Sequence, residues 1–237
     1  MVSFHEVDAF QIPKEPMRAI LHTQSFERRN RLADLGLDEE ILRQALQRGF
    51  SEWAACTLNH PPSYPGLLFW GETVKVLRDL LAPAGWERSN EGNLPFTVNK
   101  ARTVAIAVAT GDEVTGNPDE TPCTKSSKGP HTAGAIRVNA RQLDLFPIAV
   151  LPEDLARIKG DGKRMTWLLL FHRDENGREV RCELSRPTSM SENQHVDGWI
   201  ERIILGSIPF DGDMTQLPAD NAPEGPAVDA VEIKRRA

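Results

Sequence analysis

The chain has 237 residues, 40% hydrophobic and 26% charged, a balance typical of globular proteins and remote from disordered chains. Lysine and arginine number 28 against 34 aspartates and glutamates, and the formal charge of −6 excludes a protein that coats nucleic acid through bulk positive charge. No apolar run reaches the ~18 residues of a membrane span, MVSFHEVDAF lacks the pattern of a signal peptide, and Cys56, Cys123 and Cys182 are isolated thiols. A soluble, cytoplasmic protein without membrane contact is the expectation.

Residues 1–25, with Pro13 and Pro16, read as an N-terminal arm holding one short strand or turn. SFERRNRLADLG then predicts a helix with Ser25 as N-cap and Gly36 as its stop. The next segment places Ile41, Leu42, Ala45, Leu46 and Trp53 on one helical stripe, with Asp38 as cap and Glu39 and Glu40 at the positive end of the dipole. NHPPSYPG reads as a rigid proline connector. A further helix carries Trp70, Val74, Leu77 and Leu81 and stops at Pro83 and Gly85.

From about residue 94 the pattern turns to strands. TVAIAVAT (103–110) has the signature of a strand buried on both faces. Strands at about 164–172 and 178–185 flank Asp174-Glu175-Asn176-Gly177, whose Asn-Gly pair suits a tight hairpin. Val180, Cys182 and Leu184 alternate with Glu179, Arg181, Glu183 and Ser185, which predicts one wet face. GWIERIILGSIPF (198–210) reads as a last strand, and residues 211–237 as a disordered acidic tail with a basic tip at Lys234-Arg235-Arg236. The expected fold class is α+β: one domain over 26–210, helical at 26–85 and packed on a small, mainly antiparallel sheet at 94–210.

Two segments are candidates for function. Gln142-Leu143-Asp144-Leu145-Phe146 resembles the pentapeptide by which many bacterial replication and repair proteins dock on the DNA sliding clamp. The resemblance implies Leu145 and Phe146 as apolar anchors, Gln142 as the amide that sets the register, and Leu143 and Asp144 as minor contacts. An extended peptide filling a preformed pocket suits that task. The alternative is that the leucines and Phe146 are ordinary core.

The polar loop 109–134 follows the buried strand, where functional groups often gather. Its Asp112 and Glu113, with Lys125 and Lys128 nearby, are the candidates for a nuclease-like reaction with Mg²⁺ as cofactor. Lys125, Ser126, Ser127, Lys128 and Gly129 are alternatively candidates for phosphate contact, and a solvated, mobile loop is the plain reading. Gly111 to Gly116 mimics the start of a P-loop, but Asn117-Pro118 stands where Lys-Ser/Thr is required, which rejects nucleotide binding of that kind. The six histidines form no metal pattern, so no metal or cofactor is expected outside the Mg²⁺ reading.

NLPFTVNKARTVAIAVATGDEVTG, KGPHTAGAIRVNARQLDLF and RIILGSIPF are together similar to an uncharacterised group of bacterial proteins associated with mobile elements; that resemblance implies no activity or site residue. The expectation is a binding protein of bacterial DNA metabolism, partnered with the sliding clamp and touching DNA at most indirectly. The alternatives are a metal-dependent nuclease-like enzyme using loop 109–134 and a structural interaction module with no clamp contact.

Overall fold

The computed structural model describes residues 19–145, 164–176 and 178–209, and shows an α+β fold. After one short strand come three helices: α1 (Ser25–Asp34), α2 (Glu39–Ala54) and α3 (Tyr64–Leu81). Gln24, one residue before the expected Ser25, is the N-cap of α1, and Gly36 ends the turn after it with φ of 71°. The Asp38 side chain caps α2 through the Glu40 amide. The buried stripe of α2 is Leu42, Ala45, Leu46, Gly49 and Phe50, while the expected Ile41 and Trp53 lie at its margin.

Gly49 lets α2 and α3 approach closely. A β-carbon there would come within 2.7 Å of the Phe69 carbonyl oxygen and closer still to Thr73 Oγ1. The proline connector is shorter than its sequence suggests, because α3 already begins at Tyr64. Pro65 falls in the first turn, where no intrahelical donor is lost.

One sheet runs β1 (Ile20–His22), β7 (Val196–Pro209), β6 (Glu179–Met190), β5 (Met165–Asp174), β4 (Val104–Thr110), β3 (Phe96–Val98) and β2 (Glu87–Ser89). β1 with β7 and β4 with β5 are parallel, and the other neighbours are antiparallel. The sheet is therefore mixed. It also reaches further along the chain than 94–210, since β1 and β2 precede that range.

The parallel β4–β5 pair requires a crossover, and α4 (Pro130–Leu145) supplies it. The sequence reading has no helix there. β4 shows why α4 fits: Val104, Ile106 and Val108 pack with α1–α3, whereas Ala105, Ala107 and Ala109 present small side chains to the face that holds Ile136 of α4. Trp167, Leu169 and Phe171 of β5 join the first cluster, and Leu168 and Leu170 the second. Asn139 of α4 replaces strand pairing where β5 and β6 part. Its Nδ2 donates to the Thr166 and Pro187 carbonyls at 2.9 Å, and its Oδ1 accepts from the Thr166 amide at 3.0 Å.

The expected wet face of β6 is dry where loop 111–129 crosses it. Glu183 and Ser185 are fully buried, and Arg202 of β7 is buried beside them. Arg202 donates to both Glu183 oxygens, to the Asn117 carbonyl at 2.9 Å and to the Glu120 carbonyl at 2.7 Å. Trp199 Nε1 reaches the Pro122 carbonyl at 2.8 Å. The loop is thus fastened from below by buried donors, which corrects the expectation of a solvated, mobile segment. The N-terminal arm before Ala19 and the acidic tail 211–237 lie outside the described residues. Among the described residues, no helix is long and apolar enough to cross a membrane.

Candidate functional site

Gln142 to Leu145 of the clamp-like segment form the last turn of α4 and are helical rather than extended. Phe146 lies outside the described residues, as does Pro147. Asn139 and Gln142 stand three residues apart on the helix, so both turn polar side chains toward the end of the sheet. Gln142 is buried, and its Oε1 accepts from Arg186 Nη2 at 2.6 Å. An amide in the right spacing is equally at home as a buried partner of an arginine, and the pentapeptide pattern does not distinguish the two.

Arg186 comes from β6, opposite Glu201 of β7. Its side chain is buried, and burial pushes its pKa down to about 10, with the Glu201 charge acting upward and the Arg31 charge downward. Glu201 itself is held elsewhere: Arg31 Nη2 donates to Oε2 at 2.9 Å, Arg31 Nε also donates to the carboxylate, and His22 Nε2 lies 2.8 Å from Oε1. The Arg31 guanidinium lies 5.7 Å from the centre of the Trp167 ring. Among the described residues, three buried donors around this group have no hydrogen-bond partner: Arg186 Nε, Gln142 Nε2 and Trp167 Nε1.

The acidic candidates are placed differently. Asp112 Oδ2 accepts from the Cys123 amide at 2.8 Å, a staple between the two ends of the loop. Glu113 is exposed, and its carbonyl accepts from Arg181 Nη2. The backbone amides of Lys125 and Lys128 donate to the Thr110 and Gln194 carbonyls, which fixes the course of the loop. Among the described residues no three His, Cys, Asp or Glu side chains gather as metal ligands.

At the carboxyl end of β5 sits His172, half-buried and under the influence of the Arg181, Asp174 and Lys125 charges. Burial pushes its pKa below the ordinary value, against a hydrogen bond to the backbone of Gly111. A groove of about 350 Å³ lies at the start of α4, lined by Asn90, Gly92, Leu94, Gly129, Pro130, His131 and Thr132. It includes Gly129 of the segment read as a phosphate contact.

The sequence reading missed Arg31, Glu201, Arg186 and Asn139. The available signal was charge inside otherwise apolar strands, in CELSRP and WIERIIL, where a buried charge demands a partner. No family model, curated protein or solved structure matches this chain.

Proposed function

We propose that the protein docks on the bacterial DNA sliding clamp through Gln142, Leu143, Asp144, Leu145 and Phe146, with Gln142 to Leu145 held in the last turn of α4 until the clamp takes them. The observation that supports this reading is the weak fastening of that turn. Among the described residues, Gln142 is held by one hydrogen bond, from Arg186, while Gln142 Nε2 and Arg186 Nε lack partners. A hydrogen bond to a charged group contributes about 1.5–3 kcal/mol, and an unsatisfied buried donor costs about 1–3 kcal/mol. Withdrawing Gln142 gives up the first and relieves one of the second, that of its own Nε2, while water entering behind it takes up the Arg186 donors. The terms nearly cancel, so the energy of docking need not be consumed in unwinding the turn.

Leu145 and Phe146 are then the anchors, each contributing roughly 1.5–3 kcal/mol on burial in the clamp. Calorimetry with purified bacterial sliding clamp tests this. Leu145→Ala with Phe146→Ala should weaken binding by about two to four powers of ten, with an unchanged thermal melt. Arg186→Ala removes the partner that retains Gln142 and should leave binding intact or tighter.

A second reading is favoured by the burial of Gln142: the segment is an internal part of the fold, and the protein is an interaction module with no clamp contact. Under it the wild type shows no clamp binding at tens of micromolar, a range about two powers of ten weaker than tight docking, and the double variant melts lower.

A further inference from the structure

We propose that segment 111–116, the first limb of the loop over the sheet, is an acid-released latch that lifts when His172 beneath it takes a proton. This device is independent of clamp docking and is built from groups at the carboxyl ends of β4 and β5. His172 pairs with Arg181 of β6 in the sheet register, so their side chains lie side by side. They share the face that the loop covers, since Glu183, two residues along β6 from Arg181, accepts from the Gly116 amide of the loop at 2.9 Å. Gly111, just past β4, donates its amide to the Phe171 carbonyl at 2.9 Å, and its backbone also meets the His172 side chain in a hydrogen bond.

Arg181 holds the limb down. Its Nη2 donates to the Glu113 carbonyl, and Gly116, with φ of 78°, passes so close above it that an added β-carbon would lie 3.1 Å from Arg181 Cβ. Thr115, fully buried, fills the place that a β-carbon on Gly111 would take. Among the described residues, the charges that face His172 are Arg181 from β6, Lys125 from the returning limb of the loop, and Asp174 from β5 itself. Asp174 is already paired, with its Oδ2 3.3 Å from Arg181 Nη2.

A proton on His172 therefore sets a third positive charge beside the arginine that fastens Glu113. Burial, joined by the Arg181 and Lys125 charges, outweighs the Gly111 hydrogen bond and Asp174 and keeps the His172 pKa below its ordinary value. Once the limb lifts, the ring regains water and a pKa near ~6.5. The lifted form binds the proton more readily, so acid shifts the equilibrium toward it. The returning limb has no such dependence. Arg202 holds the Asn117 and Glu120 carbonyls, the Thr124 amide donates to the Val196 carbonyl, and His195 Nδ1, 2.6 Å from the Thr124 carbonyl, can donate whether or not the ring is protonated.

Amide exchange of the full chain, corrected for the intrinsic effect of pH, tests this between about pH 7.5 and about pH 5, a range that spans the ordinary histidine value. Glu91 and Glu201, both held at about 2, stay ionised throughout. Protection of the Thr115 and Gly116 amides should fall by about fivefold or more, the weight of one like charge at ~4 Å when screened as in bulk water. The Thr124 amide should keep its protection. The midpoint of the fall should coincide with the titration of the His172 ring followed by nuclear magnetic resonance. His172→Gln should abolish the pH dependence, and Lys125→Gln should reduce it.

The latch is overturned if Thr115 and Gly116 stay protected down to about pH 5, below the ordinary histidine value, or if Thr124 loses protection with them. A fall whose midpoint departs from that of His172, or one that persists in a folded His172→Gln variant, overturns it as well. The two wild-type midpoints decide the matter even where His172→Gln does not fold. No clamp is present in these measurements, so their failure and a failure to bind the clamp are separate results.

Discussion

Arg202 Nη2 lies 2.6 Å from Glu183 Oε2 between neighbouring strands, with the two side chains 3% and 0% exposed. Removing one partner of such a pair strands the other charge in the interior and costs about 3–5 kcal/mol, whereas replacing both by apolar groups costs far less. Arg202 also holds the Asn117 and Glu120 carbonyls, so the pair governs loop 111–129 as well as the sheet. Glu183→Met and Arg202→Met should each lower the urea midpoint sharply, and the double variant should recover part of the loss. Amide exchange within 111–129 should accelerate in Arg202→Met; unchanged exchange there would show that the loop stands without its arginine.

Glu201 links stability to acid. Burial alone would raise its pKa, but hydrogen bonds from His22 and Arg31 with the Arg31 charge outweigh it and hold the group at about 2. In the unfolded chain a glutamate titrates near ~4.3. A carboxyl depressed on folding stabilises fully above its unfolded pKa and loses that contribution as pH falls toward the folded one. The contribution is about 3 kcal/mol at neutral pH, lost between about pH 5 and pH 2. Glu91 is also held at about 2, by hydrogen bonds from Arg164 and Ser89, but its side chain is 53% exposed and solvent screens most of the effect. Urea midpoints measured across that range should therefore fall steeply in the wild type and much less in Glu201→Gln, which starts lower at pH 7. A parallel fall in both would assign the acid transition to other groups.

Elements with one strong local signal were legible in the sequence. The capped, apolar stripe of α2, the buried run of β4 and the hairpin turn near Asn176 each depend on neighbours along the chain. What escaped depends on partners far away. α4 buries Asn139 and Gln142 beside its apolar residues, so its inner face does not read as a hydrophobic stripe, and its place is set by the Thr166, Pro187 and Arg186 groups it meets. Glu183 and Ser185 have the alternation of an exposed face, and only the loop folded over them makes them interior. The pentapeptide was legible as letters, while the Arg186 contact that buries its first residue is set 44 positions away.

Asn139 supports the end of the β5–β6 pairing with three hydrogen bonds from a fully buried amide. Asn139→Leu keeps similar volume and leaves the Thr166 amide and two carbonyls unsatisfied, at about 1–3 kcal/mol for each group that water cannot reach. Asn139→Asp retains the acceptor for the Thr166 amide but turns two donors into a charge facing carbonyls. We expect Asn139→Asp to be the more damaging near pH 7 and to recover as pH falls and the side chain becomes protonated. Chemical denaturation of both variants at pH 7 and at about pH 4, close to the ordinary aspartate pKa, checks the order; equal destabilisation at both would remove the carbonyl contacts as the cause.

Cys182 provides a probe of whether β6 and β7 separate without global unfolding. Burial pushes its thiol up to about 12, with the Arg43 charge a weaker opposing influence, and its Sγ donates to the Gly206 carbonyl at 3.2 Å. At pH 8 the thiolate that reacts with disulfide reagents is then about 10⁻⁴ of the population, and no reagent reaches it in the folded state. Gly206, with φ of 76°, sits at the irregularity between Cys182 and Glu183, where the pairing of the two strands shifts by a residue. That shift is the place at which the strands would part first. With Cys56→Ser and Cys123→Ser in the same chain, Cys182 should react with Ellman's reagent only at the rate of global unfolding, and urea should accelerate the reaction in step with the loss of circular dichroism. Modification that outpaces unfolding, with little dependence on urea, would show that the bulge opens locally.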